Sequence, residues 1–178
     1  MLGGKGNAKF KKEGIESFSL PCIETCPFAG ECKKYCYAKS FRRYPSIVKG
    51  YDTNNRISKS CLFIALMVVE LSKSKASFVR IHVSGDFYSV NYAKKWMKII
   101  KKFQDKKFYA YTKSFSFFKE IKLPDNFTLI QSFGGMHDHL IDRNRPHAVI
   151  FPDRDILLKA GYVDCSEITF LRLLMVLH

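Results

Sequence analysis

Short runs rich in β-branched and aromatic residues alternate along this chain with stretches of helical period, and that alternation admits few folds. ESFSL (Glu16 to Leu20), SFVRIHV (Ser77 to Val83), KFYAYT (Lys107 to Thr112), FTLIQS (Phe127 to Ser132) and HAVIF (His147 to Phe151) read as strands. Asn54 or Asn55 can cap a helix running to about Lys73, whose apolar positions Ile57, Cys61, Ile64, Ala65, Val68 and Leu71 recur at three and four. On that stripe Cys61 is expected in the core, as a small hydrophobe. A second helix, about Val90 to Phe103, carries Tyr92, Trp96, Ile99, Ile100 and Phe103 at helical spacing; Ser116 to Ile121 is a weak helix before Pro124. Regular strand–helix alternation implies a parallel sheet with helical crossovers.

The 178 residues suit one domain, with an N-terminal segment over 1–53 and β/α repeats over 54–178. A closed eight-strand barrel takes about 250 residues. The expected fold is therefore α/β: a partial (incomplete) β/α barrel or an open parallel sheet. The final apolar run, FLRLLMVLH, has no clear cap, which suggests a chain shortened relative to its relatives.

In parallel β/α sheets, ligands bind at the carboxyl ends of the strands. The unusual polar segments of this chain fall there. Ser84-Gly85-Asp86 follows the second strand and Tyr111-Thr112-Lys113-Ser114 ends the third. Gln131-Ser132-Phe133-Gly134-Gly135 ends the fourth, with His137, Asp138 and His139 just beyond. Asp86 is the best candidate there to receive an ammonium group, since the adjacent glycine lets backbone approach a ligand.

After the first strand comes CIETCPFAGECKKYC, placing Cys22, Cys26, Cys32 and Cys36 in one loop. Four thiolates so close in sequence can converge on one metal centre. Structural zinc favours shorter C-x2-C hooks than this C-x3-C-x5-C-x3-C run. A [4Fe–4S] cluster tolerates wider spacing and is the leading occupant, with zinc as the alternative. Pro27 and Gly30 let the loop bend, and Tyr35 and Tyr37 would shield the centre from solvent. The N-terminus has basic residues but no apolar core following them, so it does not read as a secretory signal. A cytoplasmic location is expected, where thiols stay reduced and disulfides are disfavoured. The longest apolar stretch, Cys61 to Leu71, is too short to span a membrane.

The formal charge of +14 favours a polyanionic partner: nucleic acid, a phosphorylated substrate or an anionic surface. Part of the excess is concentrated. Lys33, Lys34, Lys39, Arg42, Arg43, Lys49, Arg56 and Lys59 stand against Asp52 alone, interleaved with Tyr35, Tyr37, Phe41, Tyr44 and Tyr51. Cations neutralise phosphates while aromatic faces stack on bases.

FSLPC, TCPFAGECKKYCYA, RIHVSGDFYS and FYAYTKS together resemble the phage gene product 88 family, over roughly Ser17 to Ser114. That resemblance implies a phage origin, hence a host-cell cytoplasm, and a metal-binding cysteine loop. Relatives in that family continue further and carry more cysteines, whereas Cys165 alone lies in this chain's tail. A looser resemblance is to radical S-adenosylmethionine enzymes, which also place a cysteine loop after the first strand of a partial or full β/α barrel. Their usual motif is C-x3-C-x2-C; Cys26, Cys32 and Cys36 form a stretched version, with Cys22 to spare. The resemblance implies reductive cleavage of S-adenosylmethionine and hydrogen abstraction from a substrate. Ser84, Gly85 and Asp86 would bind the methionine amino group, with Tyr37 beside the cofactor and Lys113 and Gln131 facing the substrate. If all four cysteines bind iron, no iron is left open, and a non-catalytic, metal-stapled nucleic-acid-binding protein is the alternative.

Overall fold

The computed structural model describes residues 1–3, 10 and 12–164. Cys165 and the run FLRLLMVLH lie outside the described residues. The chain enters β1 (Ile15–Phe18), passes through the cysteine loop with its one-turn α1 (Cys32–Tyr35), and continues into α2 (Pro45–Lys59) and α3 (Phe63–Lys73). Then follow β2 (Phe78–Ile81), α4 (Val90–Ile100), β3 (Lys107–Thr112), β4 (Phe127–Ser132), β5 (His147–Ala148) and α5 (Arg154–Lys159).

The five strands are all parallel and lie in the order β1-β2-β3-β4-β5. Sheet order thus equals chain order, with no reversal. Right-handed crossovers in one direction place successive helices on the same face. This is an open parallel sheet, and the strands do not close into a barrel.

Side-chain alternation separates the two faces. Phe18, Val79, Ile81, Phe108, Ala110 and Phe127 point into the larger core, where they meet Phe63, Met67 and Leu71 of α3 and Tyr92, Trp96 and Ile100 of α4. Trp96 packs edge-on against Phe18 and Phe63 at centroid distances of 5.3 and 5.5 Å. The intervening positions Ile15, Tyr109 and Ile130 point the other way and gather with Phe10.

β3 and β4 keep the boundaries expected from sequence. Other expectations need correction. The helix expected from Asn54 to Lys73 is two helices that break at Ser60, whose backbone is extended. Lys95 of α4 explains the stop: its ammonium donates to the carbonyls of Ser58 and Ser60 at 3.0 and 2.8 Å, capping the end of α2. Cys61 therefore sits in the break and is exposed, not in the core. Asn54 is not a cap but a buried residue inside α2, donating to the carbonyls of Ser19 and Met1. β2 ends at Ile81, before Val83, because His82 turns into the left-handed region at φ 69°. Ser116 to Ile121 is a single 3-10 turn, Phe115–Phe118, and β5 is shorter than HAVIF.

The outer edge of β1 is covered. Gly3 pairs with Ser17 in an antiparallel bridge, and the Met1 ammonium meets Glu70 at 2.9 Å.

Candidate metal centre at the strand-end rim

Hydrogen bonds and close backbone packing draw the cysteine loop onto the carboxyl ends of the strands. Leu20 N–H donates to the Ser84 carbonyl at 2.9 Å, tying the loop's start to the turn after β2. Cys32 N–H donates to the Gly134 carbonyl at 3.0 Å, and Met136 N–H to the Phe28 carbonyl at 3.0 Å, tying its middle to the turn after β4. Glycines make these approaches possible. A Cβ on Gly30 would stand 2.8 Å from the Gly135 backbone, and one on Gly85 would stand 2.6 Å from both Leu20 Cβ and Thr25 Oγ1. Both glycines also hold positive φ, at 50° and 81°. The loop and the two turns thus interlock at backbone distance.

Within the loop, Cys22 is buried and Cys26, Cys32 and Cys36 are half-buried. The Cys22 thiol lies within hydrogen-bond reach of Cys36 and of the Arg42 guanidinium, and burial together with Cys36 pushes its pKa up. Cys26 is pushed up to about 12 by burial, by the Asp86 carboxylate and by Cys36 and Cys32. All four thiols therefore sense at least one other through space. Among the described residues, no three His, Cys, Asp or Glu side chains stand close enough together to hold a single metal ion. The donor chemistry, four thiols on one loop, fits a [4Fe–4S] cluster or a zinc ion as ligand types. Metal binding deprotonates such thiols and reverses the mutual penalty.

Asp86 is buried at the end of β2. One carboxylate oxygen accepts from Phe87 N–H and from the Thr112 hydroxyl, and the other from Lys113 N–H at 2.9 Å. Burial raises its pKa, and these three donors oppose the rise. The side chain braces the ends of β2 and β3. Ser84 is buried beside it, and its hydroxyl has no partner among the described residues. A small pocket of about 60 Å³ opens there, with Cys22, Ser84, Arg42, Tyr51 and Asp52 in its wall.

Lys113 is buried along its stem and donates to the Ser132 hydroxyl at 2.8 Å, which links the ends of β3 and β4. Gln131 faces the chain beyond β4: its amide donates to the Asp142 carbonyl and accepts from Asp142 N–H. Tyr37 reaches back over the rim, and its hydroxyl donates to the Val83 carbonyl. His137 stacks on Phe28 at 4.1 Å and bonds Ser116. Asp138 accepts from Gly134 and Gly135 N–H, both at 2.8 Å, and shapes that turn.

Two neighbours, Arg80 and His82, went unread in the sequence, which places Thr112 on the rim without a role. Arg80 points from β2 toward Tyr111, its guanidinium 5.0 Å from the ring, and lies close to Tyr37. His82 is fully buried, bonds the Tyr92 hydroxyl at 3.0 Å, and has its pKa pushed down to about 3 by burial and Arg80. Thr112 carries the Asp86 contact. Alternation in RIHV marks Arg80 as facing away from the helices; nothing in it marks the left-handed His82.

Fold and rim define the class: a singly wound, open parallel α/β protein whose cysteine-rich loop is seated on the strand ends. The family described as Gene product 88 matches residues 2–175, and the chain belongs to that family. The Gene 88 protein of Mycobacterium phage D29 is 30% identical over 112 residues, covering 54% of this chain and 47% of that relative. The match thus spans about half the relative's length. No solved structure matches the chain. Among the described residues, no helix is long and apolar enough to cross a membrane.

Proposed function

We propose that this protein is an iron–sulfur protein laid out like a radical S-adenosylmethionine enzyme, with a [4Fe–4S] cluster held by Cys22, Cys26, Cys32 and Cys36. One observation carries the reading: the cysteine loop is interlocked with the turns after β2 and β4, on the rim where parallel β/α sheets bind their ligands. A cluster spans more space than one ion. The C-x3-C-x5-C-x3-C spacing, wider than the short hooks of structural zinc, is what favours the cluster over zinc.

The rim residues divide the remaining work. Asp86 acts first as a brace, because both its oxygens are taken up by the ends of β2 and β3. Ser84 offers the unsatisfied hydroxyl beside it and is the better candidate for a direct contact with a cofactor amino group. Gly85 keeps backbone close to that position. Tyr37 covers the cysteines from outside, and Lys113 holds a positive charge between the ends of β3 and β4. If substrate could displace one of the four cysteines and an external donor reduced the cluster, it would supply the electron for reductive cleavage of S-adenosylmethionine; with all four cysteines retained it would serve as a structural staple.

Anaerobic purification tests this directly. The protein should be brown, and should turn electron-paramagnetic on reduction with dithionite. Incubation with S-adenosylmethionine should then change the resonance and release 5′-deoxyadenosine. A coloured protein with an unchanged resonance and no 5′-deoxyadenosine would remove the catalytic part and leave a closed, structural cluster. A colourless protein would remove both.

A further inference from the structure

We propose that the surface formed by α1, the 3-10 helix that follows it (Tyr37–Arg43) and α2 binds single-stranded nucleic acid. Lys33, Lys34, Lys39, Arg42, Arg43, Lys49, Arg56 and Lys59 are all exposed in the structure. Only two of them reach a carboxylate among the described residues: Lys34 meets Glu31 at 2.8 Å, and Arg42 approaches Glu24 at 3.9 Å. A folded protein gains little from so many exposed like charges within one stretch of chain, since their mutual repulsion opposes compaction.

The stripe Pro45, Val48, Lys49, Asp52, Thr53 and Arg56 recurs at three and four along α2. With Arg42 it lines a shallow open groove of about 690 Å³. Lys49 and Arg56 lie two turns apart, roughly 10 Å along the axis at 1.5 Å per residue. One extended strand can offer phosphates to both. At the α1 end stand three exposed tyrosines, Tyr35 at 84%, Tyr37 at 59% and Tyr44 at 55%. Phe41 packs edge-on against Tyr37 at 6.1 Å and against Tyr51 of α2 at 6.4 Å. Open rings beside open cations are the two components of single-strand binding: stacking for bases and charge for phosphates. A membrane surface fits less well. The groove's apolar side chains are Pro45 and Val48 alone, too few for an inserting face. The proposal stands whether or not the rim holds a cluster.

Fluorescence polarisation of the full chain with labelled single-stranded DNA and RNA, a duplex control and anionic vesicles tests it. Affinity should fall steeply between about 50 and 200 mM salt, with a log–log slope of about −0.7 per phosphate contacted. Lys49→Ala combined with Arg56→Ala should flatten that slope by about 1.4. Tyr35→Ala combined with Tyr44→Ala should weaken binding by about tenfold or more at an unchanged slope, because stacking releases no counterions. All four side chains are exposed, and Lys39→Ala with Lys59→Ala supplies a second charge pair with the same readout. No binding at low salt, an unchanged slope in both charge pairs, tyrosine variants without effect, or tighter binding to duplex or vesicles than to single strands would each overturn it.

Discussion

Replacing Gly85 with alanine probes the seating of the cysteine loop on the turn after β2. The new Cβ would lie 2.6 Å from Leu20 Cβ, 2.6 Å from Thr25 Oγ1 and 3.1 Å from the Leu20 carbonyl. Leu20 and Thr25 lead into and line the loop, and Thr25 is itself fixed by donating to the Pro21 carbonyl at 2.7 Å. Neither contact is the far end of a flexible chain, so the backbone must move. A left-handed residue with a side chain costs about 1–2 kcal/mol, and overpacking adds about 1–3 kcal/mol. The sum is about 2–5 kcal/mol of lost stability. Gly134 provides the internal control. Its φ of 89° carries the same conformational cost, but a Cβ there meets only Lys113 Cε, at 3.8 Å. Gly134→Ala should therefore lose only about 1–2 kcal/mol. Urea denaturation of both variants measures the difference, which should be about 1–3 kcal/mol in the direction of greater loss for Gly85→Ala. Equal losses would refute the close packing of the loop against this turn.

Three further perturbations have defined outcomes. Asp86→Ala leaves Phe87 N–H, Lys113 N–H and the Thr112 hydroxyl without their acceptor; at about 1–3 kcal/mol each it should lose at least about 3 kcal/mol by chemical denaturation, and Asp86→Asn clearly less. Lys95→Met uncaps α2; it should cost about 1.5–3 kcal/mol and speed amide exchange in the last turn of α2, whereas unchanged exchange would discount the cap. His82 is held neutral with its pKa near 3, below the ordinary 6.5. An unfolded chain takes that proton as pH falls below about 6.5 while the native chain cannot, so stability should drop by up to about 1.4 kcal/mol per pH unit toward pH 3. Arg80 adds to this by repelling the charged ring, and Tyr92 supplies its hydrogen bond. Denaturation midpoints should fall less steeply in His82→Gln, and identical pH slopes would assign the effect elsewhere.

Strand alternation was legible because it depends on local period. KFYAYT and FTLIQS alternate cleanly between the two faces and keep their boundaries. Parallel order and the gathering of the Ser84, Lys113 and Gly134 segments follow from chain connectivity, so they too could be read. The break at Ser60 could not, because Lys95 creates it from a helix 35 residues further on. Cys61 moved from core to surface for the same reason. Gln131 illustrates a second limit: the strand end fixes where the residue sits, but Asp142 decides what its amide bonds. Asp86 shows a third, since a carboxylate at a ligand-binding rim can equally be the rim's own brace.

Native mass spectrometry of the anaerobically reconstituted 178-residue chain tests the central claim most directly. It reads metal identity, sulfide content and stoichiometry on one folded species. The account predicts the added mass of a single [4Fe–4S] unit per chain, lost when Cys22, Cys26, Cys32 or Cys36 is changed to serine. A chain that carries one zinc ion, or remains at its bare mass after reconstitution, would contradict it.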